Sequence, residues 1–319
     1  MLLDDSKPFD APTFLDDPGF FDHAALRLHS RFRDLLTARP DAVLCGVSAA
    51  HLMGLPVPPP LVRGPIHVAS PAEIRRTGFR AHRTERIDVR DVDGLPVNAP
   101  ERVVAECAAM LTEDDLVVLL DAAMSAQKSA RVVDAHHSVL HRAEPGMRPE
   151  QGVRPVLVPP DRLVPFLRGE ATARMHGRKK LLRALDRARG DVRSPRLSRL
   201  RIALGHAGLP DPEVRPRVDL PGLAGSPEAD GLDLPEHIRP DLLYRDAQVM
   251  VGLDPAQVGA ETAGRLGGGD PCVTHHVYAR RLHDEGWSVV PLTRATELAM
   301  AAASVRRLVI HHALARRAA

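Results

Sequence analysis

The chain has 319 residues, 44% of them hydrophobic and 26% charged, so it is long enough for two folded domains with sizeable cores. Its net charge of +2 selects no partner, and aromatic residues at 3% leave little for stacking on bases. No apolar run reaches the roughly 18 residues of a membrane span, and no basic-then-apolar leader is legible, so a cytoplasmic location is expected.

The three cysteines, Cys45, Cys107 and Cys272, are odd in number and scattered, which fits a reducing compartment better than a disulfide framework. Charge is unevenly distributed. Residues 162–201 hold 13 Lys or Arg against 3 Asp or Glu, whereas the first twenty residues are acidic.

Residues 1–20, with Pro8, Pro12 and Pro18, read as an irregular lead. Residues 21–36 show helical spacing, with Ala25, Leu26, Leu28, Phe32, Leu35 and Leu36 apolar. Ser48 is placed to cap a short helix through Leu52, which Gly54 ends. Strands are predicted over 66–70, 78–83 and 92–97, the last containing the turn pair Asp93-Gly94. Asn98 with Glu101 has capping-box spacing, and Thr112 with Asp115 repeats it more weakly, so two helices follow. Residues 21–127 thus read as one compact α+β module.

Residues 128–169 are a predicted connector, rich in His, Pro and Arg at its start. A basic helix is expected over 170–189, broken by Gly190-Asp191. Ser194-Pro195 opens the next, and Gly208 stops it. Strands are then expected over 213–218, 241–244, 248–253 and 287–292, with helices over 274–285 and from a Thr293 cap to about Arg316. The basic helix and this α/β region make up a second domain, 170–319.

Several segments resemble known families. Val47-Ser48-Ala49-Ala50-His51-Leu52-Met53-Gly54-Leu55-Pro56 is similar to a signature of actinobacterial AbiEi-like antitoxins. Ile66-His67-Val68 with Arg80-Ala81-His82-Arg83, the segment Asp93 to Arg102, and Leu120-Asp121-Ala122-Ala123 resemble later parts of the same module, in the same order. The winged helix-turn-helix common in such antitoxins is not legible in residues 1–40.

The second half resembles very-short-patch-repair endonucleases of the PD-(D/E)XK superfamily. The matching segments are Ser194-Pro195 with Ser198-Arg199-Leu200, Arg239-Pro240-Asp241-Leu242-Leu243-Tyr244, Val251-Gly252-Leu253-Asp254 and Gly286-Trp287-Ser288-Val289-Val290. The resemblance implies an α+β N-terminal module joined to an α/β restriction-endonuclease-like C-terminal domain. It also implies a degenerate site. Asp241 and Asp254 stand at acidic positions, but Leu197 and Gly252 stand where the family carries glutamates.

Phosphodiester hydrolysis on such a fold needs Mg²⁺ held by carboxylates that also position water. A site short of two acids is expected not to cut, unless Glu228, Asp230, Asp233, Glu236 or Glu261 has migrated into it. Asp241 and Asp254 have a plainer reading as turn caps at strand ends.

The basic stretch carries the other reading. Arg174, Arg178, Lys179, Lys180, Arg183 and Arg187 have the density that neutralises duplex phosphates. Lys179, Arg183 and Arg187 share a face by i, i+4 spacing. The plainer alternative is a solvated charged face. Cys272 near His275 and His276 is too few ligands for structural zinc, so no cofactor is expected.

The expectation is a non-catalytic, DNA-associated, antitoxin-like transcriptional regulator. Its expected partners are double-stranded DNA and a cognate toxin protein, with no membrane. An active Mg²⁺-dependent nuclease and a protein-interaction module remain as alternatives.

Overall fold

The structure, a computed structural model, describes residues 18–84, 88–125, 127–128, 153–154, 156–219, 237–252, 282–292 and 296–318. The chain divides into two compact units, Met1–Pro195 and Arg196–Ala319. Both mix helices with sheets that contain parallel and antiparallel pairs.

In the first unit helix α1 spans Pro18–Ala38. It buries Leu28, Phe32 and Leu35, a stripe at helical spacing. Leu26, expected inside, is 51% exposed and lies off that stripe.

A five-stranded sheet follows. Its strands are β1 (Val43–Leu44), β2 (Ile66–Ser70), β3 (Phe79–Arg83), β4 (Val89–Val92) and β5 (Leu95–Asn98), in the order β3-β2-β1-β5-β4. β2–β3 and β1–β5 are parallel, whereas β1–β2 and β4–β5 are antiparallel. The β4–β5 hairpin turns on Asp93 and Gly94, both at positive φ, as the sequence pair predicts.

Helices α2 (Gly46–Leu52), α3 (Pro59–Val62), α4 (Pro100–Cys107) and α5 (Glu113–Met124) complete the core. Leu44, Val68, Leu95 and Val97 from the strands are fully buried, as are Val103, Val104, Leu116 and Leu119 from the helices.

Two predicted caps are not realised. Cys45, not Ser48, precedes α2, and Ser48 lies inside the helix, where its Oγ accepts the His67 N–H at 2.9 Å. Ala99 precedes α4 with Pro100 in its first turn, while the Asn98 amide donates to Glu106 at 2.8 Å. In both cases a long-range partner outcompetes the local cap. Thr112 does cap α5, its Oγ1 accepting the Asp115 N–H at 3.1 Å.

Two short strands, β6 (Gln127–Lys128) and β7 (Val153–Arg154), pair antiparallel within the predicted connector. That connector also contains helix α6 (Pro160–Arg168). The predicted basic helix splits into a 3-10 turn, Glu170–Thr172, and α7, Arg178–Arg187.

Gly177, at φ +82°, starts α7. A Cβ there would lie 2.4 Å from the Ala108 carbonyl oxygen, so only glycine allows this approach. α7 packs on α5, burying Leu181, Ala184 and Leu185. The predicted domain boundary at residue 170 is therefore corrected. The basic helix belongs to the first unit, because its apolar face is buried there.

The second unit contains α8 (Pro195–His206), which begins at the unit boundary and ends before Gly208 at φ +80°. A four-stranded sheet has the order β13-β12-β11-β8, formed by β8 (Glu213–Val214), β11 (Leu242–Tyr244), β12 (Val249–Val251) and β13 (Ser288–Val290). β11 and β12 form the predicted antiparallel hairpin, and β13 runs parallel to β12.

The single strand predicted over 213–218 is instead two. Arg215 at φ +47° breaks it, and β9 (Val218–Asp219) pairs with β10 (His237–Ile238). Val218, Ile238, Leu243, Met250 and Leu282 form a core that Trp287 and Val289 join. The last helix, α9 (Leu298–Ala318), packs on β12 and β13. The Thr293 cap and most of the helix predicted over 274–285 lie outside the described residues.

Candidate functional site

The hairpin β11–β12 positions the residues assigned to nuclease chemistry. Asp241 precedes β11, its N–H donating to the Gly252 carbonyl at 2.8 Å and its carbonyl accepting from Arg215 N–H at 3.1 Å. Gly252 follows β12 and donates its N–H to Val290 O at 3.0 Å. Gly252 has φ +65°, a conformation that L side chains rarely adopt. A Cβ placed there would meet the Asp241 carboxylate oxygen Oδ2 at 2.4 Å. The Asp241 side chain thus lies over the space a residue 252 side chain would need.

Leu197, the corresponding helix position, is 2% exposed and apolar. Of the three described positions that the resemblance assigns to acids, only Asp241 is a carboxylate. Asp254, Glu228, Asp230, Asp233, Glu236 and Glu261 lie outside the described residues, as do Cys272, His275 and His276. Among the described residues no group of three His, Cys, Asp or Glu could hold a metal ion.

The predicted phosphate-contacting residues lie on or just before α7, and four of them bond to groups of neighbouring segments. Arg183 Nε donates to Glu113 Oε2 at 2.8 Å. Arg187 Nη1 bridges Glu113 Oε1 at 3.2 Å and Asp114 Oδ1 at 3.0 Å. The hydrogen bond from Arg183 is the largest cause holding the Glu113 carboxyl below its usual range. Lys180 donates to the Leu111 carbonyl. Arg178 Nη2 donates to the Arg168 carbonyl at 2.7 Å.

These four side chains dock α7 on the acidic first turn of α5 and on the ends of α4 and α6. Acids in a helix's first turn are favoured by its dipole, so that turn is a natural place for carboxylates. Arg174 and Lys179 are exposed.

A polar cluster that the sequence does not single out lies between α4 and the sheet. Glu106 accepts from Gly46 N–H at 2.9 Å, Asn98 Nδ2 at 2.8 Å and Arg102 Nε at 3.0 Å. Nearby, His67 Nδ1 and His82 Nε2 are 2.9 Å apart across β2 and β3. Their ring centroids are 5.1 Å apart, so with that contact the rings meet edge to edge, one N–H donating to the other ring's lone pair. Burial, then the neighbouring His82 and Arg80, lowers the His67 pKa to about 4. His82 is lowered too, chiefly by burial, against the opposing pull of Glu106. The only sequence signal was a histidine on each of two adjacent strands.

A histidine with a depressed folded pKa contributes stability that is present above its ordinary value near 6.5 and is lost as pH falls toward 4. The first unit is expected to lose about 3 kcal/mol across that window. Urea denaturation at stepped pH checks this, and His67→Gln should flatten the dependence. An unaltered slope in that variant would assign the effect elsewhere.

No protein-family model matches the chain, and no curated protein or solved structure shows significant similarity to it. Among the described residues no helix is long and apolar enough to cross a membrane.

Proposed function

We propose that this protein is a DNA-associated regulator of the AbiEi-like antitoxin kind, whose second unit keeps a restriction-endonuclease-like strand core without the cutting chemistry. The observation that carries the loss of cutting is Gly252. Its positive φ disfavours any side chain, and a Cβ there would displace the Asp241 carboxylate beside it. The buried apolar Leu197 supports the same reading. DNA association is supported by Arg174 and Lys179, which are exposed and engage no carboxylate among the described residues.

A second reading, a module for binding another protein such as a toxin, is favoured by one observation. The final helix α9 leaves Met300, Ile310 and Leu314 exposed, at 63%, 41% and 60%.

Fluorescence anisotropy with a duplex, in salt from about 50 to 200 mM, separates the two readings. Affinity falling steeply with salt is the expected result, and no binding at low salt would leave the protein-binding reading. Incubation of plasmid with Mg²⁺ or Mn²⁺ is expected to leave it intact. Metal-dependent cleavage that disappears in Asp241→Ala would reverse the assignment.

A further inference from the structure

We propose that the outer strand β3 and the adjoining face of α1 form a surface that binds the phosphate backbone of duplex DNA. This rests on the DNA-associated reading above and moves the contact away from α7.

The surface is rich in arginine. Residues 74–84 contain four arginines, one histidine and no carboxylate. Of these, Arg75 pairs with Glu73, just outside the stretch, and elsewhere in the first unit Arg39 pairs with Asp41, Arg90 with Asp88 and Arg102 with Glu106. Arg80 and Arg83 have no carboxylate partner among the described residues. Arg31 and Arg76 donate only to backbone carbonyls there, those of Gly78 and Asp34. A carbonyl fixes a guanidinium without cancelling its charge.

β3 is the first strand of the sheet order, so among the described residues one of its edges has no neighbouring strand. Side chains of a strand alternate, which puts Arg80 and His82 in one row and Phe79 and Arg83 in the other. Arg80, His82 and Arg83 are all exposed. Arg80 and Arg83 therefore put one cation on each side of the edge. The guanidinium carbons of Arg31 and Arg76 each lie 5.6 Å from the Phe79 ring centroid, which holds both heads beside the strand.

The surface suits a duplex better than a single strand. Single-strand recognition uses free aromatic faces, and the one aromatic side chain here is already engaged by two arginines. Arginines that lie on a strand edge without a base-reading element favour backbone contact, which orients a protein on a duplex without reading sequence.

Charged edge strands also guard against edge-to-edge aggregation, and the test must separate that role. Binding of a random-sequence duplex by the full chain is measured against salt for four proteins: wild type, Arg80→Glu/Arg83→Glu, Arg80→Lys/Arg83→Lys and Arg174→Glu/Lys179→Glu. Melting curves and light scattering are recorded for each. The β3 glutamate pair is expected to lose at least about tenfold in affinity, with the slope of log K against log salt shallower by about 2. The lysine pair should bind nearly as wild type, since phosphate contacts need only the charge.

Wild-type binding that survives the β3 glutamate pair but is lost in the α7 variant would overturn this surface and spare the DNA reading. Absence of wild-type binding would overturn both. Unchanged affinity with new aggregation would leave β3 an edge guard alone. Equal wild-type affinity for polyglutamate would refute the assignment to DNA.

Discussion

A Gly252→Glu chain is expected to melt its second unit earlier than wild type and still to leave plasmid DNA uncut with Mg²⁺ or Mn²⁺. A simple sequence argument says the opposite, since the substitution restores the missing acid beside Asp241 and Asp254. The backbone decides otherwise. Residue 252 sits at φ +65°, where a side chain costs about 1–2 kcal/mol. Its Cβ would stand 2.4 Å from Asp241 Oδ2 and 3.1 Å from Asp241 Cγ, so the aspartate must leave its position. A second carboxylate placed against the first adds repulsion. Together these are expected to cost about 2–4 kcal/mol.

The measurement has a convenient probe. The chain has one tryptophan, Trp287, and it packs on the core of the second unit. Its fluorescence on heating reports that unit. Gly252→Ala should lose part of the same stability without the charge. A Gly252→Glu protein that melts like wild type and cleaves DNA with metal would mean the strand end is plastic, and the pocket was only one residue from activity.

The Asp121→Ala substitution is expected to weaken the first unit by about 3 kcal/mol. Asp121 is fully buried in α5, and its Oδ1 accepts the backbone N–H of Arg189 at 2.7 Å. Arg189 follows α7, so this carboxylate ties the segment after the basic helix to the module core. Removing it leaves a part-buried N–H without its carboxyl acceptor, and both losses add. For a unit of this size the melting point should fall by about 6–12 °C. Asp121→Asn keeps a neutral acceptor and should recover about half.

Amide hydrogen exchange gives the local readout. Arg189 should lose protection in Asp121→Ala ahead of the α5 amides. If Arg189 stays as protected in Asp121→Ala as in wild type, the carboxylate is not its anchor.

The sites differ in how far they could be read in advance. The Asp241–Gly252 hairpin was legible because strand, turn and strand are contiguous and their residue types are strongly biased. What its glycine means was not legible, because a positive φ and the approach of Asp241 are properties of the folded backbone. The basic helix shows the reverse problem. Its i, i+4 cations are plain in sequence, yet Glu113 lies 70 residues from Arg183, and only packing brings them together. Ser48 and Asn98 failed as caps for a related reason, since each found a better partner across the sheet or on a helix.

The sequence by itself determined the local features: the Asp93-Gly94 turn, the Thr112 cap, the start of α8 at Pro195 and the apolar stripe of α1. These depend on neighbours within about one turn, where side-chain chemistry and backbone preference act directly. Only the tertiary structure decided which charges are paired, that β2 pairs with β3 and β12 with β13 in parallel, and that a side chain at residue 252 would displace Asp241. Those outcomes depend on long-range proximity, which no spacing along the chain encodes.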